Sequence, residues 1–445
     1  MSAVPAVETG SVIALTHEGE GIVREGKTAF VAGALPGERI RYQRTRRRKQ
    51  HDEARLLEVL EPAPDRVKPR CAHFGVCGGC TLQHLDPSSQ IGIKEQELRD
   101  GIQRIAKVEP QSWLAPMRGP EWGYRRRARL GARYVSKKGR VVVGFRERMA
   151  PYVAALERCE VLTEPVGGLI MPLSALMTSL DIRERVPQIE VAVADDAIAL
   201  VLRVMEAPTS ADLERLRRFE QEHRLRFYLQ PGGLDTVRRL DGAPAGEPSL
   251  HYALPGFGLE LEFAPTDFIQ VNGAINAALV ERAVELLEPD AGSNVLDLYC
   301  GLGNFTLALA RRAGRVVGVE GDAQLIARAR HNARRNGIGN VEFHVGNLAI
   351  PPGDGTPWLA SGYTHVLLDP PRVGAQEMLP TVARFSPRRV LYISCHPGSL
   401  ARDIGMLVHD HGFVLRAAGV LDMFPHTAHV ESIAVLEPGR RGSRA

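Results

Sequence analysis

The stretch Asn294-Val-Leu-Asp-Leu-Tyr-Cys-Gly-Leu-Gly-Asn-Phe305 is an apolar strand that ends near an acidic residue, turns on two glycines and opens into a helix. Continuous apolar runs suit strands buried on both faces, and a glycine turn lets backbone pass close to a ligand at the carboxyl edge of a sheet. The same texture extends outward. A helix is predicted over 273–288 before this strand and another over 304–312 after it. Next come Arg315-Val-Val-Gly-Val-Glu320, a helix over 322–336 and Val341-Glu-Phe-His-Val345. His365-Val-Leu-Leu-Asp369, Arg389-Val-Leu-Tyr-Ile-Ser-Cys395, a helix over 398–410 and Ser432-Ile-Ala-Val-Leu436 complete the series. Such alternation predicts a parallel, doubly wound α/β domain from about residue 263.

Upstream the texture differs. Five short β segments between Val12 and Leu60, divided by Gly, Pro and charged turns, predict a small barrel. The polar, proline-rich run 61–70 reads as a linker, with a boundary near residue 62. Ile91, Leu98, Ile102 and Ile105 fall at helical spacing and predict an amphipathic helix over 91–108. From about 124 to 250, β-rich segments and one charged helix at 209–224 suggest an α+β module. With 445 residues, 44% hydrophobic and 24% charged, the chain exceeds any small stapled fold, and no apolar run reaches membrane length. The opening residues carry no basic segment followed by an apolar core, so a cytoplasmic location is expected. No heptad pattern argues for more than a monomer.

Net charge is only +4, but the arginines are clustered. Arg39, Arg41, Arg44, Arg46, Arg47, Arg48 and Lys49 form one patch, and Arg125, Arg126, Arg127, Arg129 and Arg133, flanked by Tyr124 and Tyr134, form another. The bland reading of such runs is solvated arginine on an exposed face, yet arginine interleaved with aromatics favours phosphate contact and base stacking, hence RNA.

The glycine turn gains meaning from Glu320, about 20 residues on, where a carboxylate can take both hydroxyls of a ribose. Thr306 occupies the third glycine position of a dinucleotide fingerprint and an acidic residue sits on the first strand, which favours S-adenosylmethionine over a nicotinamide dinucleotide. Asn347, after the third strand, then faces the adenine. Asp369, after the fourth, faces the amino-acid end or the substrate.

Asp369-Pro-Pro-Arg372 and Ile393-Ser-Cys-His-Pro397 bring a carboxylate and a thiol to that same edge. Carbon 5 of uracil is a poor nucleophile until a thiolate adds to carbon 6, which makes an enolate reactive at carbon 5. Cys395 fits that need. The adduct must then lose its carbon-5 proton, and Glu431, in Phe424-Pro-His-Thr-Ala-His-Val-Glu431, is the candidate base. Cys300, inside the glycine turn, reads as a structural thiol, and nothing singles out His396, His426 or His429.

Cys71, Cys77 and Cys80, closed by Cys159, offer four thiolates in a chain expected to hold no disulfides. Their spacing admits zinc, with His73 and His84 as further donors, or an iron-sulfur cube. A fourth cysteine argues against radical chemistry.

Asp369-Pro-Pro-Arg, Ile393-Ser-Cys-His-Pro, Phe424-Pro-His-Thr with Glu431, and Thr266-Asp-Phe-Ile-Gln-Val-Asn272 resemble the uracil-C5 RNA methyltransferases over nearly the whole chain. The resemblance implies Cys395 as nucleophile and Glu431 as base. It implies Gln270, Tyr299, Asn304, Glu320, Asn347 and Asp369 as S-adenosylmethionine contacts, and Phe268 near the target base. Arg125, Arg127, Arg46 and Arg47 are candidate RNA contacts. Within the family the transfer RNA type is expected to lack both barrel and cysteine cluster, and one ribosomal type to lack the barrel. This chain has both, and so resembles the type that modifies 23S ribosomal RNA, at uracil-1939 by resemblance. That type has a TRAM barrel of the oligonucleotide-binding kind and a [4Fe-4S] cluster, and its partner is 23S RNA or an early large-subunit assembly intermediate. Implied domains are 1–62 (barrel), 63–90 with 119–262 (α+β iron-sulfur domain), and 91–118 with 263–445 (Rossmann-like class I methyltransferase). Tyr299 stands where Phe is frequent, and His396 where Asn is.

Three other readings are the same chemistry on transfer RNA or a second 23S uridine, a cytosine-C5 enzyme, and a non-catalytic RNA-binding assembly factor. The cytosine enzymes carry Pro-Cys where this chain has Asp369-Pro-Pro. The assembly factor would leave Cys395 and Glu431 without a purpose.

Overall fold

The computed structural model describes residues 7–243 and 250–439. The first residues of the expected barrel span and the last of the expected catalytic span lie outside them. Strands β1 (Val7–Leu15), β2 (Glu20–Val23), β3 (Ala29–Ala32), β4 (Arg39–Arg47) and β5 (Asp52–Glu61) close into a barrel in the order β1-β2-β3-β5-β4. Alternate residues point inward, so Val12, Val23, Val31, Ile40 and Tyr42 fill the interior. Beyond the barrel, Arg66 bonds the buried carboxylate of Glu38 and ties the linker to it.

Helix α1 (Pro87–Gly101) begins four residues before the expected start, because Asp86 accepts from the Ser88 N–H and Pro87 stands at the first helical position. It runs into a π-helical turn at Ile102–Ala106. The wider turn rotates the apolar face, burying Ala106 and leaving Ile105, expected in the core, 52% exposed. Strand β6 (Ser112–Trp113) follows.

The middle module is a six-stranded sheet, β12-β11-β10-β9-β7-β8. It comprises β7 (Arg127–Val135), β8 (Arg140–Gly144), β9 (Gln188–Val193), β10 (Ile198–Arg203), β11 (Arg226–Gln230) and β12 (Arg238–Arg239). Helices α2 (Ile170–Ser179) and α3 (Ser210–His223) accompany it, the latter started by a Thr209/Asp212 capping box. Strands β13 (Leu250–Leu254) and β14 (Leu259–Phe263) form a separate hairpin.

The last unit contains α4 (Gly273–Leu287), β15 (Asn294–Leu298), α5 (Thr306–Ala310), β16 (Arg315–Glu320), α6 (Ala323–Arg335) and β17 (Val341–Val345). It continues through β18 (His365–Leu368), α7 (Leu379–Arg384), β19 (Arg389–Ser394), α8 (Pro397–His409), β20 (Phe413–Leu421) and β21 (Glu431–Pro438). Its sheet runs β17-β16-β15-β18-β19-β21-β20-β6. Helix α5 is shorter than the expected 304–312, because the glycine turn holds the chain out of helical geometry until Thr306. The sheet is mixed rather than wholly parallel, since β21 runs antiparallel between β19 and β20. Its far edge is closed by β6, parallel to β20. Both faces are buried: α4, α5 and α6 pack on one, while α1, α7 and α8 pack on the other.

Candidate active site

Strand order reverses between β15 and β18, and a crevice at such a switch point is the expected ligand site of an open α/β sheet. Here the chain leaves β15 through Tyr299, Gly301 and Gly303, all at positive φ (67°, 54° and 97°). No atom lies within 4 Å of where a Cβ on Gly301 would stand, so the turn is an open cradle. The Glu320 carboxylate is held against it, accepting from Gly301 N–H at 3.2 Å and from Gly321 and Asp322 N–H at 2.6 and 3.1 Å. Asn347 is exposed beyond β17, with its oxygen on the Ala349 N–H. The Tyr299 hydroxyl donates to the Leu348 carbonyl at 3.3 Å.

Gln270 is half-buried with Phe268, 72% exposed, two residues before it. Asn304 is turned away from open space: its amide exchanges two hydrogen bonds with Asn276 and accepts from the Tyr252 hydroxyl. Under the turn, Asp297 accepts from Thr306 Oγ1 at 2.5 Å, yet burial pushes its carboxyl up to about 7. Cys300 is buried, and its sulfur fills the space a Cβ on Gly318 would need.

The thiol and the candidate base meet through strand register. Ser394 pairs with Ser432 across β19 and β21, so Cys395 and Glu431 stand at the next position, opposite each other at the sheet edge. Burial, with Asp369 as a lesser cause, pushes Glu431 up to about 8. Burial alone brings Asp369 to about 7. Burial, then Glu431 and Asp369, raise the Cys395 thiol to about 11, against the pull of Arg372. Four groups therefore share one electrostatic neighbourhood. Arg372 also contacts His429 Nδ1 at 3.1 Å. Arg372 closes the Asp369-Pro-Pro-Arg motif, and its place beside the thiol emerges only in the fold. His396 caps α8 by accepting the Ser399 N–H, which a histidine does as well as an asparagine.

A cleft of about 1230 Å³, bounded by all three parts of the chain, reaches this sheet edge at Arg372 and His396. His17 and Glu20 line it from the barrel. Arg125, Arg129, Arg133, Arg146, Arg148 and Arg183 line it from the middle module, and Arg372, His396 and His429 from the catalytic unit. Arg125 stacks on Phe145 at 5.3 Å. Three of the four expected RNA contacts do not reach this wall. Arg127 is spent on the Pro265 carbonyl and on Glu190, and Arg46 and Arg47 stand exposed on β4 outside the cleft, opposite Glu53 and Asp52. Arg146, Arg148 and Arg183 went unnoticed, since spacing along the chain carries no sign that they meet.

Behind the cleft, Cys71, Cys77, Cys80 and Cys159 line one small cavity, and all four are free thiols. Burial pushes Cys77 up to about 11 and Cys80 to about 12. His73 is committed to the Glu157 N–H, and His84 is buried with neither ring nitrogen partnered. Among the described residues, no three His, Cys, Asp or Glu are grouped so as to hold a single metal ion. Nor is any described helix long and apolar enough to cross a membrane.

Residues 256–345 and 360–438 match the family model described as tRNA (Uracil-5-)-methyltransferase. The 23S rRNA (uracil(1939)-C(5))-methyltransferase RlmD of Alkalilimnicola ehrlichii is 51% identical over 96% of both chains. Its namesake in Methylococcus capsulatus is 50% identical over 95% of both. The crystal structure of Pyrococcus abyssi tRNA (uracil-54, C5)-methyltransferase with S-adenosyl-L-homocysteine superposes with a TM-score of 0.75. At 24% identity it covers 96% of this chain and 100% of its own. Coverage that wide takes in the barrel, so the expectation that a transfer RNA enzyme lacks this barrel is overturned.

Proposed function

The chain belongs to the uracil-C5 RNA methyltransferase family, and from that membership we infer that it methylates carbon 5 of a uridine in 23S ribosomal RNA. The half-identical, full-length relatives put that uridine at position 1939. What carries the chemistry is the facing of Cys395 and Glu431 across β19 and β21, with Asp369 and Arg372 around them.

S-adenosylmethionine, when bound, supplies the methyl group. The residues fit it: an open glycine cradle at Gly301, the Glu320 carboxylate at the turn for ribose hydroxyls, exposed Asn347 for adenine, and Tyr299 and Asp369 at the ends of β15 and β18, with Gln270 assigned by resemblance alone. Asn304 acts one step back, by bracing the cradle through Asn276 and Tyr252.

Cys395 passes its proton to a neighbouring carboxylate, its Sγ forms a bond to carbon 6 of uracil, and the carbon 5–carbon 6 π electrons move into an enolate that is nucleophilic at carbon 5. Arg372 favours the thiolate, and the neighbouring carboxyls, with raised proton affinity, suit proton transfer near neutral pH. After carbon 5 has taken the methyl group, Glu431 accepts its proton. The carbon 5–carbon 6 double bond re-forms and the carbon 6–sulfur bond breaks. Exposed Phe268 offers a stacking face for the base, and Arg125 with its neighbours lines the path of the RNA backbone.

Cys71, Cys77, Cys80 and Cys159 would hold a [4Fe-4S] cluster. Four free thiols around one cavity are a donor set that suits such a cube, and the resemblance favours it over zinc. It would cross-link the 71–80 loop to the chain at Cys159. The domains then divide as 1–62, 63–90 with 119–262, and 91–118 with 263–445, in a cytoplasmic monomer.

The test is transfer of labelled methyl from S-adenosylmethionine to unmodified 23S, 16S and transfer RNA, followed by nucleoside digestion. Label as 5-methyluridine in 23S RNA alone is expected. Label in transfer RNA instead would overturn the substrate assignment, and none anywhere would favour an assembly factor.

A further inference from the structure

Residues 422–430 carry the chain from β20 into Glu431, and their anchors come from more than 290 positions earlier in the sequence. Buried Lys94 bonds Asp422 at 2.7 Å and the Phe424 carbonyl at 3.0 Å. The Tyr124 hydroxyl donates to the Pro425 carbonyl at 3.1 Å. Most anchors converge on His426, a buried non-glycine residue at φ 64°, with its ring stacked 3.9 Å from Trp122. Its carbonyl accepts two backbone N–H groups, Thr81 and Leu82, both at 2.9 Å. Its own N–H donates to Gln90 Oε1 at 2.9 Å. Two residues on, the Ala428 N–H donates to Thr81 Oγ1 at 3.0 Å.

Gln90 is 2% exposed, and its carboxamide is fully used. While Oε1 holds His426, Nε2 donates to the Leu82 and Leu85 carbonyls at 3.1 and 2.9 Å. Only an amide offers an acceptor and two donors on one flat group, and asparagine is a methylene too short to span both sides. A left-handed conformation at a histidine persists only where its surroundings over-determine it, and such strain concentrates at functional sites.

We propose that Gln90 is a positioning residue for this reaction. Its carboxamide locks the left-handed turn at His426 onto the segment Thr81–Leu85 and thereby fixes where Glu431 enters the site. This rests on the reading of Glu431 as the base. The segment beginning one residue after Cys80 thus serves as the abutment of the proton-abstracting loop. A base displaced by about 1 Å can lose orders of magnitude in rate. Adduct formation at Cys395, carried by β19, is left intact.

The test separates adduct formation from adduct resolution. Wild type, Gln90→Leu and Glu431→Gln are incubated with S-adenosylmethionine and 23S RNA fragments. Turnover is measured beside the fraction of protein that runs as a covalent RNA adduct on a denaturing gel. Gln90→Leu should lose about tenfold or more in turnover while its adduct fraction rises, as with Glu431→Gln. Backbone amides of 426–431 should exchange hydrogen faster in the free Gln90→Leu protein, with no substrate present. Parallel loss of adduct and turnover, or no change in either, overturns the positioning role. Failure of Glu431→Gln itself to accumulate adduct overturns the base assignment instead. Should Gln90→Leu not fold, Thr81→Val decides the same comparison, since it removes only the Ala428 bond and should raise the adduct fraction about twofold.

Discussion

Replacing Glu431 with glutamine should make the protein more stable, and increasingly so as pH rises. Glu431 is 4% exposed at the start of β21, with its carboxyl pushed from 4.5 up to about 8 by burial and by Asp369. The folded state therefore holds this proton more tightly than the unfolded chain does. The resulting stability is complete below pH 4.5 and is lost as pH climbs from there through about 8. The gap between 4.5 and about 8 corresponds to roughly 5 kcal/mol at ~1.4 kcal/mol per pH unit. Water entry and local relaxation on ionisation bring the expected difference to about 1–3 kcal/mol. Glutamine has the same shape and no charge to bury, so the variant escapes this loss. Thermal melts of both proteins at half-unit steps from pH 5 to 9 should show curves that nearly coincide at pH 5. They should separate to several degrees in favour of the variant by pH 8.5, at about 2–4 °C per kcal/mol. A constant offset, or a variant that melts lower at pH 8.5, would refute the claim that this site stores a destabilising carboxylate for its chemistry.

Removing the Arg372 guanidinium (Arg372→Ala) deprives Cys395 of the cation that lowers its pKa, so turnover should fall about tenfold and the pH–rate profile should move toward higher pH. An unshifted profile would exclude Arg372 from nucleophile activation. Arg133 is an exposed cleft residue with no ion pair among the described residues, and Arg133→Ala should weaken RNA binding and reduce the salt slope of log Kd by about one. An unchanged slope measured by filter binding would move the RNA path off this wall. Cys159→Ser should cut bound iron and inorganic sulfide together, by elemental and sulfide assay, whereas a zinc site would yield zinc and no sulfide.

The meeting of Cys395 and Glu431 was legible in the sequence because strand ends in an α/β sheet converge on one edge. Asp369, Cys395 and Glu431 each follow or open an unmistakable apolar run. The arginine cleft was legible only in part: Arg125, Arg129 and Arg133 read as one patch, whereas Arg146, Arg148 and Arg183 join it only in the fold. Arg133 and Arg183 lie 50 positions apart and share a wall only through folding of the middle module, whereas the consecutive Arg46 and Arg47 looked stronger and lie elsewhere. Strand β20 escaped notice because Phe413-Val-Leu-Arg-Ala-Ala-Gly-Val-Leu421 is rich in small residues, and two-residue β6 carries no periodicity at all. Ile105 was misread because a π-helical turn cannot be told from an α-helix by spacing. Gln90 gave no signal, since its role depends on a turn 336 residues away.

The pairing of β6 with β20 bears on how the molecule comes into being on the ribosome. Ser112 and Trp113 wait for Ala417 and Ala418, which emerge about 300 residues later, or roughly 15–60 s at 5–20 residues per second. For most of that interval Ile91, Leu98 and Ile102 lack the apolar partners on α8 and β20 that they finally pack with. The catalytic sheet is consequently the last part of the protein to be completed, while the barrel, closed by residue 61, can form first. An emerging chain would thus own a module suited to RNA before it owns an active site, and slow translation past residue 400 would prolong its exposure to chaperones and proteases.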